Sequence, residues 1–282
     1  MSTAQTLEVP GYQVVQYVGS GARSSIWQIR DRQTGESLSL KRVIRRHSSD
    51  SRFLLQAENE FFVGSQLDHP AIRKVVRIRR IKRWLTLKEI HLFMEFCPGQ
   101  TIQENRPSDI RQVMDIFVAV AEAVAFMNSR GFVHADMKPN NIIVGQDGKV
   151  KIIDLGQSCP VGTLKERIQG TPDFIAPEQV HRRPLDSRTD VYNFGATLYW
   201  TLTGNAIPTV LPKQRSMHFK SDMHVIPPER FNSQVTPSLS KLVTDCVEMQ
   251  PSQRPESMSA VAARLSLIAH TTSRKLNKVD QP

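Results

Sequence analysis

Residues 133–141 read Val-His-Ala-Asp-Met-Lys-Pro-Asn-Asn, and after a short apolar run residues 154–156 read Asp-Leu-Gly. The polar residues that matter most in this stretch are Asp136, Lys138, Asn141 and Asp154. A carboxylate can accept a hydroxyl proton, a lysine can meet a γ-phosphate, and an asparagine with a second aspartate can hold a magnesium ion. The stretch therefore carries the groups that are needed to handle magnesium and ATP.

A β-hairpin is predicted between Asn141 and Asp154. The apolar runs 141–144 and 150–153 are joined by Gln-Asp-Gly at 146–148, which is a favourable hairpin turn. Such a hairpin would bring Asn141 and Asp154 close enough to share a metal ion. Each polar residue of the stretch could alone be a turn former or a helix cap, but their joint spacing argues against coincidence.

The composition is that of a globular protein with a sizeable core, since 39% of the 282 residues are hydrophobic and 23% are charged. Residues 1–9 have no basic start followed by an apolar core, so they do not resemble a signal peptide. The most apolar helical stretch, Ile116 to Met127, is interrupted by Glu122 and is shorter than the roughly 20 residues of a membrane span. We therefore expect no transmembrane segment. The three cysteines are widely spaced and form no metal-ligand pair, which favours reduced thiols and a cytoplasmic location.

The net charge of +10 is concentrated in one segment. Residues 73–88, which we call the basic strip, contain eight Lys or Arg residues and no acid. Apolar residues such as Val76 and Ile78 alternate with the charges, which predicts a strand hairpin with one solvated face. The alternative is a surface that attracts an acidic partner, a nucleic acid or membrane lipid.

Three strands are predicted near the start of the chain, from Tyr12 to Val18, from Ser25 to Arg30 and from Ser37 to Val43. Between the first two lies Gly-Ser-Gly at 19–21, where the lack of Cβ atoms allows the backbone to approach phosphates. The same pattern also suits an ordinary hairpin turn. Lys41, near the end of the third strand, could reach phosphates if a carboxylate held it, and would otherwise be a surface charge.

The stretch at 133–141 and 154–156 resembles the His-Arg-Asp-Leu-Lys-Pro-x-Asn loop and the Asp-Phe-Gly triplet of eukaryotic-type Ser/Thr protein kinases. Ala135 and Leu155 replace the Arg and the Phe of these motifs, but neither change removes a group that touches ATP. The resemblance covers about residues 12–268, and the compact chain is similar to bacterial members of the family. It implies an α+β, bilobal protein-kinase-like fold, with a small β-rich N-lobe that contains one helix and a larger, mainly helical C-lobe.

The resemblance also implies a division of the chain. We expect an N-terminal extension, an N-lobe, a C-lobe and a disordered tail, at 1–11, 12–96, 97–268 and 269–282. Periodicity and capping residues predict three long helices in the C-lobe besides the one that follows Asp190, starting near Ser108, Ser238 and Ser257, the last ending near Ile268. No helix is assigned within residues 205–235.

Catalytic roles follow from the resemblance by position. It implies that Asp136 orients the acceptor hydroxyl and takes its proton, that Lys138 steadies the γ-phosphate, and that Asn141 and Asp154 bind Mg²⁺, or alternatively Mn²⁺. Thr171, in a segment that resembles the substrate-docking loop of Ser/Thr kinases, would bond to Asp136 and Lys138.

The resemblance places further residues at ATP. Lys41, in Leu-Ser-Leu-Lys at 38–41, would position the α- and β-phosphates. The helix predicted from Ser51 to Gln66 offers two carboxylates, Glu58 and Glu60, which lie about 200° apart around the helix and cannot both face the lysine. The resemblance selects Glu60 as the partner of Lys41. The other residues that it places at the nucleotide are Val18, Gly19, Gly21, Ile26, Ser39, Met94 as gatekeeper, Glu95, Cys97 and Ile143.

The resemblance also implies structural roles for Asp190 and Arg254, and it bears on regulation through Ala135. Asp190 would hold the catalytic loop by its backbone, and Arg254 would pair with Glu178. Ala135 removes an arginine that in many relatives clamps a phosphate on the activation loop. We therefore hypothesise that activity does not require phosphorylation at Thr163 or Ser158.

The function implied is ATP-dependent phosphorylation of Ser or Thr hydroxyls on protein substrates. One alternative is a pseudokinase, an ATP-binding or empty interaction scaffold, which the presence of Lys41, Asp136, Asn141 and Asp154 disfavours. Another alternative is a kinase-fold enzyme that phosphorylates a small molecule, which Lys138, Thr171 and the docking loop disfavour.

Overall fold

The computed structural model describes residues 7–21, 23–207 and 225–279. The chain divides into two compact units. The first comprises the residues up to Asp68 together with Ile72–Pro98 and Asp154–Gly156. The second comprises His69–Ala71, Gly99–Ile153 and the residues from Gln157 onward. The first unit contains a five-stranded sheet and the second is mainly helical, which confirms the predicted α+β fold class.

The sheet of the first unit is antiparallel throughout, with the strand order β1-β2-β3-β5-β4. Its strands are β1 (Tyr12–Gly21), β2 (Ser24–Asp31), β3 (Ser37–Ile44), β4 (Val75–Arg83) and β5 (Thr86–Glu95). The three strands predicted near the start of the chain are therefore present. The basic strip forms most of the β4–β5 hairpin, as the alternation of its side chains predicts.

Helix α1 (Ser51–Gly64) packs on this sheet through a cluster of buried residues that includes Leu54, Val43 and Ile90. A separate cluster of buried residues contains Leu38 and Leu40 together with Val9, Ile29 and Phe93. Because side chains alternate along a strand, Lys41 leaves β3 on the opposite side from Leu38 and Leu40. This alternation points Lys41 toward α1.

In its described residues, the second unit consists mainly of helices and two short sheets. Its helices are α2 (Ile110–Ser129), α3 (Pro177–Val180), α4 (Ser187–Thr203), α5 (Pro237–Cys246) and α6 (Met258–Val279). Its strands are β6 (Gln100–Thr101), β7 (Phe132–Val133), β8 (Ile142–Val144), β9 (Val150–Ile152) and β10 (Cys159–Pro160). Strands β8 and β9 form the predicted hairpin, and β10 pairs with β7.

Two helix boundaries differ from the prediction. Helix α2 is capped by Asp109, whose carboxylate accepts a hydrogen bond from the backbone N–H of Arg111, and not by the neighbouring Ser108. Helix α6 continues past Ile268, so the disordered tail predicted for 269–282 is wrong up to Val279; residues 280–282 lie outside the described residues. Within this extension Thr272 is buried, and its hydroxyl donates to the Ile268 carbonyl.

The two units differ from the predicted lobes in three places. His69–Ala71, predicted in the N-lobe, cluster with the second unit. Residues 97–98 and Asp154–Gly156, predicted in the C-lobe, cluster with the first unit. Within the segment 205–235, residues 208–224 lie outside the described residues, and a single 3-10 turn, Pro228–Arg230, follows them. In the described parts of the chain, no helix is long and apolar enough to cross a membrane.

Candidate active site

Three predicted catalytic residues of the second unit meet around one carboxylate. The Nζ atom of Lys138 donates to Asp136 Oδ2 at 2.8 Å and to the Thr171 hydroxyl at 2.9 Å. The Thr171 hydroxyl in turn donates to Asp136 Oδ1 at 3.0 Å. The contacts predicted for Thr171 are therefore present, and both carboxylate oxygens of Asp136 are held in place.

The backbone of this loop is held in place by Asp190, which lies in the first turn of α4. The Asp190 carboxylate is completely buried and accepts from the backbone N–H groups of His134 and Ala135, both at 2.9 Å. Asn128 donates to it as well, at 2.8 Å. Burial raises the pKa of Asp190, and the nearby His134 and these hydrogen bonds oppose that effect only in part. These bonds hold Ala135 at a φ of 61°, a left-handed conformation that is costly for a residue with a Cβ.

Asn141 lies at the end of a 3-10 turn, Pro139–Asn141, that follows the loop. Its side-chain nitrogen donates to the backbone oxygen of Asp136 at 2.8 Å. Its own backbone oxygen accepts from Ile153, which ties it to the end of the β8–β9 hairpin. Because the amide nitrogen is committed to Asp136, the amide oxygen is the atom left to bind a cation.

In the first unit, Lys41 and Glu60 form the predicted pair. Lys41 Nζ lies 2.6 Å from Glu60 Oε2 and 3.4 Å from Asp154 Oδ1, and the second oxygen of Glu60 accepts from Arg73 at 3.2 Å. Burial alone would lower the pKa of Lys41, but the charges of Asp154 and Glu60 raise it above its ordinary value. Lys41 is therefore a fixed cation. The partner role of Arg73 was not predicted, because in the sequence it is one of eight clustered basic residues.

The other carboxylate of α1 lies on a different side of the helix. Arg80 of β4 forms a bidentate pair with Glu58, in which Nε and Nη2 donate to the two carboxylate oxygens at 2.7 and 2.6 Å. The pairing of Lys41 with Glu60 and not with Glu58 is thus the one that the helical phase and the family resemblance selected.

The triplet Asp154–Gly156 is held in the first unit by two sets of contacts. The side-chain nitrogen of Asn59, on α1, donates to the backbone oxygens of Leu155 and Gly156 at 3.4 and 3.3 Å. Asp154 has a φ of 64° and accepts from the Gly156 backbone N–H at 3.3 Å. The Asp154 side chain is 41% exposed, so its carboxylate is accessible to a cation. The contribution of Asn59 carries no local sequence signal.

The remaining residues predicted at ATP lie on strands or directly after them. Gly19 pairs with Ile26, and a Cβ at Gly19 would meet nothing within 4 Å, so the backbone there is open to a ligand. Ser39 and Met94 are buried neighbours on β3 and β5. The others are placed as follows: Val18 is exposed on β1, Gly21 is at the end of β1, Glu95 ends β5, Cys97 is half-buried just after it, and Ile143 is on β8 of the second unit.

A buried ion pair holds the docking segment to the helical unit. Arg254 donates to both carboxylate oxygens of Glu178, at 2.8 and 2.9 Å, as predicted. The adjacent Gln179 donates to the Ala135 carbonyl at 2.7 Å and accepts from Asn193 at 2.9 Å. Gln179 therefore links the docking segment to the catalytic loop, a role that its sequence context did not indicate.

Comparison with known proteins agrees with this arrangement. Residues 12–265 match the protein kinase domain family. The chain is 25% identical to a probable serine/threonine-protein kinase of Clostridium acetobutylicum, over 90% of this chain and 39% of that protein. It is 26% identical to the serine/threonine-protein kinase PknB of Mycolicibacterium smegmatis, over 94% of this chain and 44% of that protein.

A mammalian relative, sperm motility kinase 2B of Mus musculus, is 32% identical over 68% of this chain and 40% of that protein. The chain thus spans less than half the length of each of these relatives. The family match, in contrast, extends from the first strand of the sheet into α6. This chain belongs to the protein kinase domain family.

Proposed function

We propose that this chain transfers the γ-phosphate of ATP to Ser or Thr hydroxyls of protein substrates. The observation that carries the proposal is the convergence of Lys138 and Thr171 on the Asp136 carboxylate. The relatives named as serine/threonine kinases support the same substrate class.

Asp136 is the group that would receive the acceptor hydroxyl. Its side chain is only 7% exposed, and it is oriented by Lys138 and Thr171 before any substrate arrives. An ionised carboxylate in this position accepts the hydroxyl hydrogen bond, aligns the oxygen for attack and takes the proton as the new P–O bond forms. Lys138 supplies a positive charge beside the transferred phosphoryl group.

Lys41 would bind the α- and β-phosphates. Glu60 and Asp154 stabilise its ammonium group and keep it charged at neutral pH. Because this cation is already held in position, it does not have to reorganise when a polyphosphate binds. Its position therefore favours binding of the phosphates in one orientation. The open backbone at Gly19 would lie over the phosphates, as the glycine pattern predicts.

Each of the two residues proposed to bind metal offers an oxygen that suits a hard divalent cation. Asp154 offers an accessible carboxylate and Asn141 offers its amide oxygen, and Mg²⁺ and Mn²⁺ both prefer oxygen ligands. When bound, such an ion neutralises charge on the phosphates. We assign Asn141 and Asp154 to Mg²⁺, with Mn²⁺ as a substitute. The cysteines at 97, 159 and 246 are all free thiols, which supports a reducing, cytoplasmic setting.

The test is transfer of labelled γ-phosphate from ATP to different acceptors. Peptide pools that contain only Ser and Thr, or only Tyr, as acceptors would be offered beside sugars and aminoglycosides, with and without a divalent cation. We expect label on Ser and Thr alone and only when Mg²⁺ or Mn²⁺ is added. Label on small molecules or on Tyr would overturn the substrate class. Absence of any label, with folding and ATP binding intact, would favour the scaffold alternative.

A further inference from the structure

The end of the β4–β5 hairpin exposes two large apolar side chains. Arg83 and Thr86 pair across the strands, so that Trp84 and Leu85 form a two-residue turn. Trp84 is 93% exposed and Leu85 is 98% exposed, which are the highest values among the large apolar side chains in the described ranges. Neither side chain therefore contributes to the core.

The backbone of this turn is strained as well. Trp84 has a φ of 56°, in the left-handed region where a bulky side chain is disfavoured and glycine is preferred. A tryptophan here costs folding stability and gains no packing in return. Strain of this kind is typical of positions that serve a function other than stability.

Basic residues surround the turn, but only some of the basic strip is available. Arg73 is buried against Glu60, Arg80 is paired with Glu58, and the guanidinium of Arg77 lies over the ring of Phe93. These three cations are occupied within the first unit. They cannot account for attraction to an external partner.

Three further cations flank the turn and remain available. Lys82, Arg83 and Lys88 are exposed, and within the described parts of the chain no acidic side chain pairs with them. We call residues 82–88 the hairpin tip. Its apex is the exposed pair Trp84 and Leu85, and the three cations lie on either side of this pair in the sequence.

We propose that the hairpin tip docks on an anionic lipid bilayer. Trp84 and Leu85 would enter the interfacial region, where tryptophan is favoured, while Lys82, Arg83 and Lys88 meet the phosphates of the head groups. Apolar insertion and electrostatic attraction are the two terms that make interfacial binding stable. This inference does not depend on phosphoryl transfer.

A membrane surface explains the tip better than a nucleic acid does. Binding of single-stranded nucleic acid uses a basic groove with successive aromatic side chains on which bases stack. The tip has a single aromatic residue at a convex apex, and Leu85 beside it has no ring to offer a base. The most exposed residue of the tip would thus gain nothing from nucleic acid, whereas it would be buried by lipid.

The test is sedimentation of the full chain with vesicles. Vesicles of phosphatidylcholine mixed with phosphatidylglycerol are compared with pure phosphatidylcholine, at low and at high salt. The tip variant is W84S/L85S. The control is L55S/L267S, which removes two other exposed leucines, since Leu55 is 67% and Leu267 is 69% exposed. The charge variant is K82Q/R83Q, with R182Q/R183Q as a control of equal charge change.

We expect binding to the anionic vesicles only, weakened by salt. Each cation near the surface contributes roughly fivefold, so K82Q/R83Q should lower the partition coefficient by about 25-fold. W84S/L85S should lower it by about tenfold or more, whereas each control should stay close to wild type. Phosphotransfer to a soluble peptide should be unchanged in both tip variants, which separates this inference from the proposed function.

Three results would overturn the inference. The first is absence of sedimentation with anionic vesicles. The second is sedimentation that W84S/L85S leaves intact, which would place the contact elsewhere. The third is an oligonucleotide that displaces the vesicles and whose own binding requires Trp84 and Arg83, which would make the tip a nucleic-acid surface. Unchanged circular dichroism of the variants shows that a loss of binding is not a loss of fold.

Discussion

Lys41 and Glu60 are separated by 19 positions in the chain, yet Nζ and Oε2 lie 2.6 Å apart between β3 and α1. Glu60 is 1% exposed and also accepts from Arg73, so it holds two cations of the first unit. The ammonium of Lys41 is thereby fixed in position and in charge.

Replacing Glu60 should therefore impair catalysis. In Glu60→Gln the carboxylate that anchors Lys41 is lost, and we expect kcat/KM for phosphotransfer to fall by roughly 100-fold, because small displacements of positioning groups have effects of this size. The matched control is Glu58→Gln, because Glu58 lies on the same helix and its carboxylate pairs with the surface residue Arg80. Equal losses in the two variants would show that Glu60 has no special role.

Phosphorylation of the activation segment should not be needed for activity. Ala135 is buried with Val133, Cys159 and Leu185, so an apolar cluster stands where the family's arginine would bind a phosphate. The Thr163 hydroxyl is already bonded to the Pro160 carbonyl at 2.6 Å. The segment is therefore held by packing and backbone hydrogen bonds without added charge.

We expect Thr163→Ala to retain activity within a few-fold, measured as the initial rate of peptide phosphorylation. Thr171→Ala is the contrasting variant, because it removes the hydroxyl that bridges Asp136 and Lys138. Thr171→Ser keeps that hydroxyl and should restore most of the rate. The hypothesis fails if Thr163→Ala abolishes activity while the fold is intact.

The pair of Arg254 with Glu178 should be a large determinant of stability. The side chain of Arg254 is 0% exposed and that of Glu178 is 6% exposed. In Arg254→Met the carboxylate remains buried without its partner, and we expect the free energy of unfolding to fall by about 3–5 kcal/mol. Arg254→Lys should not restore stability, since it cannot form both parallel hydrogen bonds.

Urea denaturation is the measurement, with Lys241→Met as the control. Lys241 is 73% exposed and pairs with Asp245 on the surface of α5, and its removal should cost less than about 1 kcal/mol. A loss below about 1 kcal/mol in Arg254→Met would contradict the buried-pair interpretation.

Stability should decline at alkaline pH through Tyr192. Burial raises the pKa of Tyr192 from about 10 to about 12, although the Arg254 charge opposes this effect. The folded state therefore retains the phenol proton more tightly than the unfolded state. This stabilisation is complete below about pH 10 and is lost as the pH rises toward about 12.

Tyr192→Phe removes the titrating group and keeps the ring. Between about pH 9 and about pH 11, the free energy of unfolding of wild type should fall by roughly 1 kcal/mol more than that of the variant. Tyr17→Phe, at a residue that is 51% exposed, should follow wild type. Parallel curves for wild type and Tyr192→Phe would exclude this contribution.

Contacts that depend on motif spacing could be predicted from the sequence. The meeting of Asp136, Lys138 and Thr171 follows from the family's loop and docking segment. The choice of Glu60 over Glu58 also required the geometry of a helix, in which two positions differ by about 200°. In these cases the residue type, its position and its chemistry all indicate the same contact.

Contacts made by isolated polar residues could not be predicted. Asn59, Asn128 and Gln179 each support the site through one or two hydrogen bonds to a distant segment. A polar residue on a helix has the same local signature whether it faces solvent or a buried carboxylate. The hydrogen bonds of Asn59 to Leu155 and Gly156, which help to hold the triplet in the first unit, were missed for this reason.

The continuation of α6 to Val279 was missed for a different reason. Beyond Ile268 the sequence is mostly polar, so the hydrophobic period that marks a helix is weak there. Thr272 is buried within this polar run, but the sequence alone does not distinguish a buried polar residue from an exposed one. The hydrophobic pattern therefore predicts an end of the helix that comes too early in the chain.

The most direct test of the account is the rate of γ-phosphate transfer to a Ser/Thr peptide by Asp136→Asn. This change keeps the shape of the side chain but removes the charge that accepts the hydroxyl proton. The control is Asp115→Asn, an exposed aspartate on α2. We predict a loss of roughly 10²- to 10⁴-fold for Asp136→Asn, with unchanged thermal unfolding, and none for the control. A rate within a few-fold of wild type in Asp136→Asn would contradict the assignment of Asp136 as the catalytic carboxylate.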